Sequence, residues 1–194
     1  MYQVPVLLGG TRKGGHSRGV AICLERKLRE SEHFRTELLD LGRCDLPMLD
    51  EPYASQANPS DELRSLHEKL AGADALVIVT PEYNHGYPGV LKNALDYFRK
   101  EYRRKPVGIV TVSSGSLGGN YCLTQLRTVV LALGAIPVPA DFQVTKVQES
   151  IDQNGEVLDP TVDRRSAKLI GELLWWTEAV TEKKRQERMT DKPQ

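Results

Sequence analysis

Along this chain of 194 residues, the hydrophobic positions follow two patterns: short continuous runs, and residues spaced four positions apart. Short, nearly continuous apolar runs at residues 4–8, 75–80 and 106–112 are typical of strands that are buried on both faces of a sheet. Between the first two runs, in residues 20–28, apolar side chains recur four positions apart, which indicates the buried face of a helix. Alternating strands and helices predict an α/β fold, in which a parallel sheet carries helices on both faces.

The complete pattern predicts a single domain. Strands are predicted at residues 4–8, 34–41, 75–80, 106–112 and from 135 onwards, and helices after residue 17, over 60–72, 88–99 and 122–133, and from 162 into the 180s. Ser60 is expected to cap the second helix, and Pro88 to lie in the first turn of the third. This order suits a flavodoxin-like three-layer sandwich over residues 1–194, with a five-stranded parallel sheet of order 2-1-3-4-5. The polar tail at residues 182–194 is expected to fray.

Composition narrows the classes of function. Lys plus Arg and Asp plus Glu both number 26, so charge gives no reason to expect nucleic acid or an anionic membrane as a partner. The cysteines, Cys23, Cys44 and Cys122, are scattered without a CxxC pair, and neither a metal site nor a disulfide framework is predicted. No basic region followed by a long apolar run indicates a signal peptide, and we expect a cytoplasmic enzyme without a membrane span.

Three loops follow the first, third and fourth predicted strands, which are neighbours in the predicted sheet, so we expect them to meet at its carboxyl edge. The first, here called the glycine loop, is residues 9–17, Gly-Gly-Thr-Arg-Lys-Gly-Gly-His-Ser, and it leads into a helix. Its glycines, helix N–H groups and the side chains of Thr11, Arg12 and Ser17 could hold a phosphate. It matches neither the G-x-G-x-x-G nor the P-loop pattern, and an ordinary glycine turn with a solvated arginine would look the same.

The second and third loops offer the surroundings of a planar ring. The tyrosine loop, residues 81–89, supplies Tyr83 as an aromatic wall, with Asn84 and Gly86 as polar contacts. Packing against a helix or another subunit would also explain its tyrosines, and a structural carboxylate at a helix start is the alternative to a catalytic Glu82. The serine loop, residues 113–119, supplies N–H and hydroxyl donors, or is simply a flexible connection. We identify no catalytic side chain; His85 is the only histidine within the tyrosine and serine loops.

Taken together, these motifs resemble the NADPH-dependent FMN reductase family, which includes FMN, quinone and chromate reductases and some azoreductases. The similarity rests on Gly10-Thr-Arg with Ser17, on residues 81–96 and on the serine loop, and it covers about residues 4–140. Gly10 departs from the pattern, because many members carry serine there, and the phosphate is left to backbone N–H groups, Thr11, Arg12 and Ser17.

The resemblance implies that the chain binds FMN non-covalently and uses NADPH or NADH as co-substrate. It also implies a small-molecule acceptor such as FMN, a quinone, an azo compound or a metal oxyanion. It also implies a homodimer or homotetramer, and a mechanism that needs no general acid or base from the protein. The cofactor-binding residues that it implies are Gly10, Thr11, Arg12, Ser17, Pro81, Glu82, Tyr83, Asn84, Gly86, Ser113, Ser114, Gly115 and Gly118.

Two other functions remain open at this point: a flavodoxin-type electron carrier and a flavin-binding regulatory protein without turnover. Flavodoxins tend to be acidic with a Thr/Ser-rich phosphate loop, whereas this chain is neutral and uses Gly and Arg. An iron–sulfur flavoprotein is disfavoured by the missing cysteine cluster. Arg12, Lys13 and the basic cluster at residues 103–105 are candidates for reading the 2′-phosphate of NADPH, although the cluster could equally be a solvated surface.

Overall fold

The computed structural model describes residues 1–190, and a parallel sheet lies at its centre. The strands are β1 (Tyr2–Gln3), β2 (Val6–Leu8), β3 (Phe34–Arg35), β4 (Leu38–Asp40), β5 (Leu76–Pro81), β6 (Pro106–Val112), β7 (Ile136–Pro137) and β8 (Phe142–Val144). The helices are α1 (Ser17–Glu30), α2 (Asp61–Gly72), α3 (Gly89–Asp96), α4 (Asn120–Ala132), α5 (Val147–Ser150) and α6 (Thr161–Thr190), with short 3₁₀ turns at Leu41–Arg43, Tyr53–Ser55 and Lys100–Tyr102.

The main sheet has six strands, not the five that we predicted. Its order is β4-β2-β5-β6-β7, with β8 also paired to β6, while β1 and β3 form a separate parallel pair. Pro5 separates β1 from β2, and Pro139 lies between β7 and β8. Proline has no N–H to give to a ladder, so β2 begins after Pro5 rather than at residue 4, and the strand predicted from residue 135 is divided into β7 and β8. The strand predicted at residues 34–41 is also divided, into β3 and β4, although it contains no proline.

Helices cover both faces of the sheet, as the alternating pattern predicts. On one face α1 and α6 contribute Val20, Leu24 and Leu28, together with Leu169 and Leu173, to a buried apolar cluster. On the other face α2, α3 and α4 contribute a second cluster. Successive residues of β5 alternate between the two clusters, as successive side chains of a strand must. The α/β architecture is therefore confirmed.

The starts of α2 and α3 show how local sequence sets the helix boundaries. Ser60 is the N-cap of α2, as predicted, because its hydroxyl accepts a hydrogen bond from the N–H of Leu63 at 3.2 Å. Pro88 occupies the N-cap position of α3 rather than its first turn. Helix α3 ends at Asp96, three residues before the predicted end at residue 99.

The polar end of the chain is helical where we expected it to fray. Helix α6 continues to Thr190, and residues 191–194 lie outside the described part of the chain. The amide of Gln186 donates to Glu182 at 3.2 Å, and Glu187 pairs with Arg104 at 3.0 Å. These side-chain pairs along the helix, and one onto the loop before β6, offset its polar composition. Over residues 1–190, no helix is long and apolar enough to cross a membrane.

Candidate functional site

The glycine, tyrosine and serine loops meet at the carboxyl edge of β2, β5 and β6, and they enclose a cavity of about 370 Å³, here called the first cavity. It lies where open α/β sheets place ligands, outside the carboxyl ends of the strands. Its lining residues are Arg12, Lys13, Gly14, Gly15, His16, Ser17, Pro81, Glu82, Tyr83, Val112, Ser113, Ser114, Val147 and Gln148.

One wall of the first cavity is the start of α1, whose hydrogen-bond donors are left without a cap. His16 is the N-cap residue, and within the described chain it makes no side-chain cap bond. Its Nδ1 atom is buried and has no hydrogen-bond partner among those residues. The first N–H groups of a helix have no intrahelical acceptor and carry the positive end of its dipole. Arg12 lines the same cavity, and this wall suits an anion.

Gly10 and Ser17 join the glycine loop to the tyrosine loop. A Cβ atom on Gly10 would lie 2.5 Å from the Ser17 hydroxyl and 2.8 Å from Cδ of Pro81, so only glycine allows this approach. Ser17 is buried and lines the first cavity. Gly10 and Thr11 line a neighbouring cavity instead, so the structure does not bring these two predicted residues to the first one.

The tyrosine loop contributes three of its five predicted residues to the first cavity. Asn84 and His85 have φ values of 49° and 65° and form the tip of a two-residue turn. Tyr83 and Gly86 close this turn by exchanging N–H···O bonds of 2.8 and 3.0 Å. Pro81, Glu82 and Tyr83 therefore line the cavity, whereas Asn84 and Gly86 lie in the turn beyond it.

The carboxylate of Glu82 makes a hydrogen bond to the backbone at the start of α4. Its Oε2 atom accepts the N–H of Cys122 at 2.9 Å and so caps the start of α4. Burial first, and then the charge of Glu82, raise the pKa of the Cys122 thiol to about 12. A thiol with that pKa stays protonated near neutral pH and is no nucleophile. This contact favours the structural carboxylate over the catalytic acid at position 82.

The serine loop supplies Ser113 and Ser114 to the first cavity. The Ser113 hydroxyl accepts the N–H of Gly115 at 3.0 Å and shapes the turn. Gly118 has a φ of 59°, and its carbonyl accepts a 2.6 Å bond from the hydroxyl of Thr111. Gly115 and Gly118 thus hold the loop in place without lining the cavity.

The sequence reasoning missed five side chains of this cavity, those of Lys13, His16, Val112, Val147 and Gln148. The last two belong to α5, which is tied to the serine loop by a 3.1 Å bond from the N–H of Val147 to the carbonyl of Ser113. A signal for them did exist, because α5 follows β8 at the same carboxyl edge as the other loops. The loop after the last predicted strand was the place to look.

The chain is similar to flavin-dependent reductases over most of its length. The model of the NADPH-dependent FMN reductase family matches residues 2–149. An NAD(P)H-dependent FMN reductase from Schizosaccharomyces pombe is 33% identical over 175 residues, covering 88% of this chain and 84% of that protein. A quinone reductase from Escherichia coli is 34% identical over 174 residues, covering 86% and 91%.

The fold is shared with solved structures of the same kind. FerB, a flavoenzyme NAD(P)H:(acceptor) oxidoreductase from Paracoccus denitrificans, matches with a TM-score of 0.79 at 24% identity, covering 92% of this chain and 98% of that one. The fold is thus that of flavodoxin-like flavoenzymes. The chain belongs to the NADPH-dependent FMN reductase family. It is an oxidoreductase that uses FMN, with NAD(P)H as co-substrate, and the resemblance read from the motifs is confirmed.

Proposed function

We propose that the first cavity is the FMN site, with the phosphate against residues 12–17 and the ring between the tyrosine and serine loops. The observation that carries this proposal is the uncapped start of α1 beside Arg12, with the unpaired Nδ1 atom of His16. A phosphate monoester would accept bonds from the α1 N–H groups and neutralise the arginine. The donors present therefore fit the cofactor of the family.

The remaining surface of the first cavity fits a flat ring with polar edges. Tyr83 and Pro81 supply aromatic and aliphatic surface on one side, and Ser113 and Ser114 supply hydroxyls on the other. Of the residues that the resemblance implies, we propose that those lining the cavity contact FMN and that the others shape its loops. The loop-shaping residues are Gly10, Thr11, Asn84, Gly86, Gly115 and Gly118.

The protein's part in the reaction is binding and orientation. When bound, FMN accepts a hydride from NAD(P)H and passes the electrons to a second substrate. Glu82 accepts the N–H of Cys122 and the thiol of Cys122 stays protonated, which supports a reaction that uses neither as a general acid or base. Tyr83 is 38% exposed and forms the edge of the cavity where a planar substrate would enter.

We propose planar two-electron acceptors, quinones and azo compounds, as the substrates that are reduced, with free FMN and metal oxyanions as further candidates. Support comes from the names of similar proteins: the quinone reductase described above and an FMN-dependent NADPH-azoreductase from Staphylococcus aureus, 35% identical over 148 residues. Turnover with benzoquinone and with an azo dye under the same conditions tests this assignment.

We further propose a cytoplasmic homodimer or homotetramer. Leu117, Tyr121 and Leu131, on or just before α4, are 62%, 47% and 60% exposed, which is apolar surface that a second copy could cover. Sedimentation equilibrium tests this, and a monomer at micromolar concentration would contradict it.

The visible spectrum of the purified protein, before and after anaerobic addition of NADPH, tests the flavin site. We expect flavin absorption near about 450 nm that bleaches with NADPH. Flavin that binds without bleaching would favour an electron carrier. If no flavin is bound even after FMN is added back, the proposed site is wrong.

A further inference from the structure

A second cavity, of about 430 Å³, lies on the other side of the glycine loop from the first cavity. Residues 12–15 line both cavities, so a single stretch of loop separates them. The rest of its wall comes from α1, from the end of β4 with the following 3₁₀ turn, and from the turn at residues 153–154. Nothing in the proposed flavin site accounts for this space.

Positive charge is concentrated in the second cavity. Four cationic side chains line it, those of Arg12, Lys13, Arg18 and Arg43, against one carboxylate, that of Asp40. The chain as a whole carries equal numbers of both signs, 26 each, so this excess is local. A cleft lined mainly by one sign of charge attracts ligands of the opposite sign.

The carboxylate of Asp40 orients the arginines rather than filling the cavity with negative charge. Its Oδ2 atom pairs with Arg18 and lies 3.7 Å from Nε of Arg43, and its Oδ1 atom accepts the N–H of Gly42 at 3.0 Å. Each guanidinium has five N–H donors, so both keep donors for a ligand. The side chain of Arg43 is 75% exposed, which leaves it accessible.

The turn at residues 153–154, which forms one wall of the second cavity, is packed closely against α1. A Cβ atom on Gly155 would lie 2.9 Å from the backbone nitrogen of Cys23, so the turn that carries Gln153 and Asn154 is closely packed. Arg26 of α1 donates to the carbonyl of Gly155 at 2.7 Å and to Glu156 at 2.6 Å. The turn that carries the two amide residues is therefore fixed against α1 and lines one edge of the second cavity.

We propose that the second cavity binds the 2′-phosphate of NADPH, with Arg18 and Arg43 as its ligands and Gln153 and Asn154 beside the ribose and adenine. This assignment rests on the proposed flavin site, because the nicotinamide end must reach the first cavity across the shared loop. A phosphate dianion accepts paired bonds from guanidinium groups, and NADH has no group to fill this position. The enzyme is therefore selective for NADPH.

The basic cluster at residues 103–105 cannot serve this role. It precedes β6 and so lies at the amino end of the strands, at the opposite edge of the sheet from both cavities. Nζ of Lys105 donates to the carbonyls of Leu70 and Ala71 at 2.5 and 2.9 Å, and Arg104 pairs with Glu187. Lys105 therefore holds the end of α2, and Arg104 holds α6, at that opposite edge of the sheet.

Titration calorimetry with adenosine 2′,5′-bisphosphate and with 5′-ADP tests the assignment on the FMN-loaded protein. We expect the 2′-phosphate to improve binding about 10-fold or more, and Arg43→Ala to remove that advantage. Arg185→Ala is the matched control, because Arg185 is 74% exposed and lies 3.9 Å from Glu182, three residues away. Equal affinities for the two nucleotides, or wild-type binding by Arg43→Ala, would overturn the proposal.

Two further readouts separate this proposal from the proposed flavin site. The ratio of KM for NADPH to KM for NADH should rise about 10-fold in Arg43→Ala, with the FMN dissociation constant unchanged. Weakened FMN binding would mean that the flavin phosphate occupies the second cavity, and would overturn the assignment. If the protein binds no FMN, the flavin site fails, yet the calorimetry on that protein still decides whether the cavity discriminates the 2′-phosphate.

Discussion

Helices α1 and α2 begin in opposite ways, although both are packed against the central sheet. At the start of α2, the hydroxyl of Ser60 accepts the N–H of Leu63, and Asp61 and Glu62 follow in the first turn. At the start of α1, within the described chain, no side chain caps the helix and the first turn holds no acidic residue. The N-cap residue of α2 thus satisfies one donor of that helix start, whereas the start of α1 has no such cap and lines the first cavity.

The difference between the two helix starts is that the cap of α2 contributes to stability, whereas the uncapped start of α1 is available to bind a ligand. Both ends of α2 are closed, because the ammonium group of Lys105 donates to the carbonyls of Leu70 and Ala71 at its carboxyl end. A cap is worth about 1 kcal/mol of helix stability. Helix α1 does without that contribution, and its free N–H groups and positive dipole end are what an anionic ligand requires. The uncapped helix is therefore the one that faces the site.

Giving α1 an acidic cap should have the largest effect. We expect His16→Asp to weaken FMN binding about 100-fold or more, because a carboxylate would repel the phosphate and compete for the same N–H groups. The FMN-free protein should melt at a higher temperature. His16→Asn is the matched control, because asparagine caps without charge. Equal FMN affinities in the two variants, measured by flavin fluorescence, would show that charge at this helix start is irrelevant.

Removing the arginine of the glycine loop should have the next largest effect. Arg12→Ala should weaken FMN binding about 10- to 100-fold, the loss expected for one charge-assisted bond of about 1.5–3 kcal/mol. Arg64→Ala is its counterpart in the first turns of α2, where the guanidinium bonds to the carbonyl of Pro59. Fluorescence titration should show no change for that variant, and unchanged FMN affinity in Arg12→Ala would contradict the site.

Removing the N-cap of α2 should lower the stability of the fold without changing FMN binding. Ser60→Ala removes the bond to the N–H of Leu63 and should lower the free energy of unfolding by about 1 kcal/mol, with FMN affinity unaltered. Ser60→Asn should retain most of that stability because asparagine also caps. Urea denaturation of the three proteins makes the measurement, and a loss of FMN binding in Ser60→Ala would break the distinction between the two helices.

The last effect is a pH dependence at the other end of α2, which develops only above about pH 8. Burial lowers the pKa of Lys105 from 10.5 to about 8. Between these values the unfolded chain binds more protons than the folded one, so this residue makes the free energy of unfolding rise with pH. The rise should be smaller in Lys105→Met between pH 8 and 10.5, measured by denaturation at each pH. Parallel curves for the two proteins would contradict the lowered pKa.

Local sequence was enough to predict much of this fold. The alternation of strands and helices, the buried face of α1 and the Ser60 cap each depend on residues that are close in the chain. The meeting of the three loops followed from the parallel order of their strands, since carboxyl ends share one edge. The FMN reductase family followed from the loop motifs, and the family comparison confirmed it.

Features that depend on distant contacts were not predicted. Pro5 separates β1 from β2 because its missing N–H falls between their two ladders, and the sequence does not show the pairing partners. The tip of the tyrosine loop turns Asn84 away from the first cavity through its left-handed backbone. Val147 reaches that cavity through a bond to Ser113, 34 residues earlier. The wall of the second cavity likewise depends on how residues 153–154 pack against α1.

The crowding around Gly10 constrains how this sequence can change over generations. Serine, which many family members carry there, would place its Cβ atom 2.8 Å from the ring of Pro81. The hydroxyl of Ser17 can rotate away, but a proline ring moves only with its backbone. A lineage could therefore acquire serine at position 10 only after the tyrosine loop had shifted. Substitutions in the glycine loop and the tyrosine loop are therefore expected to occur in a fixed order, with the change in the tyrosine loop first.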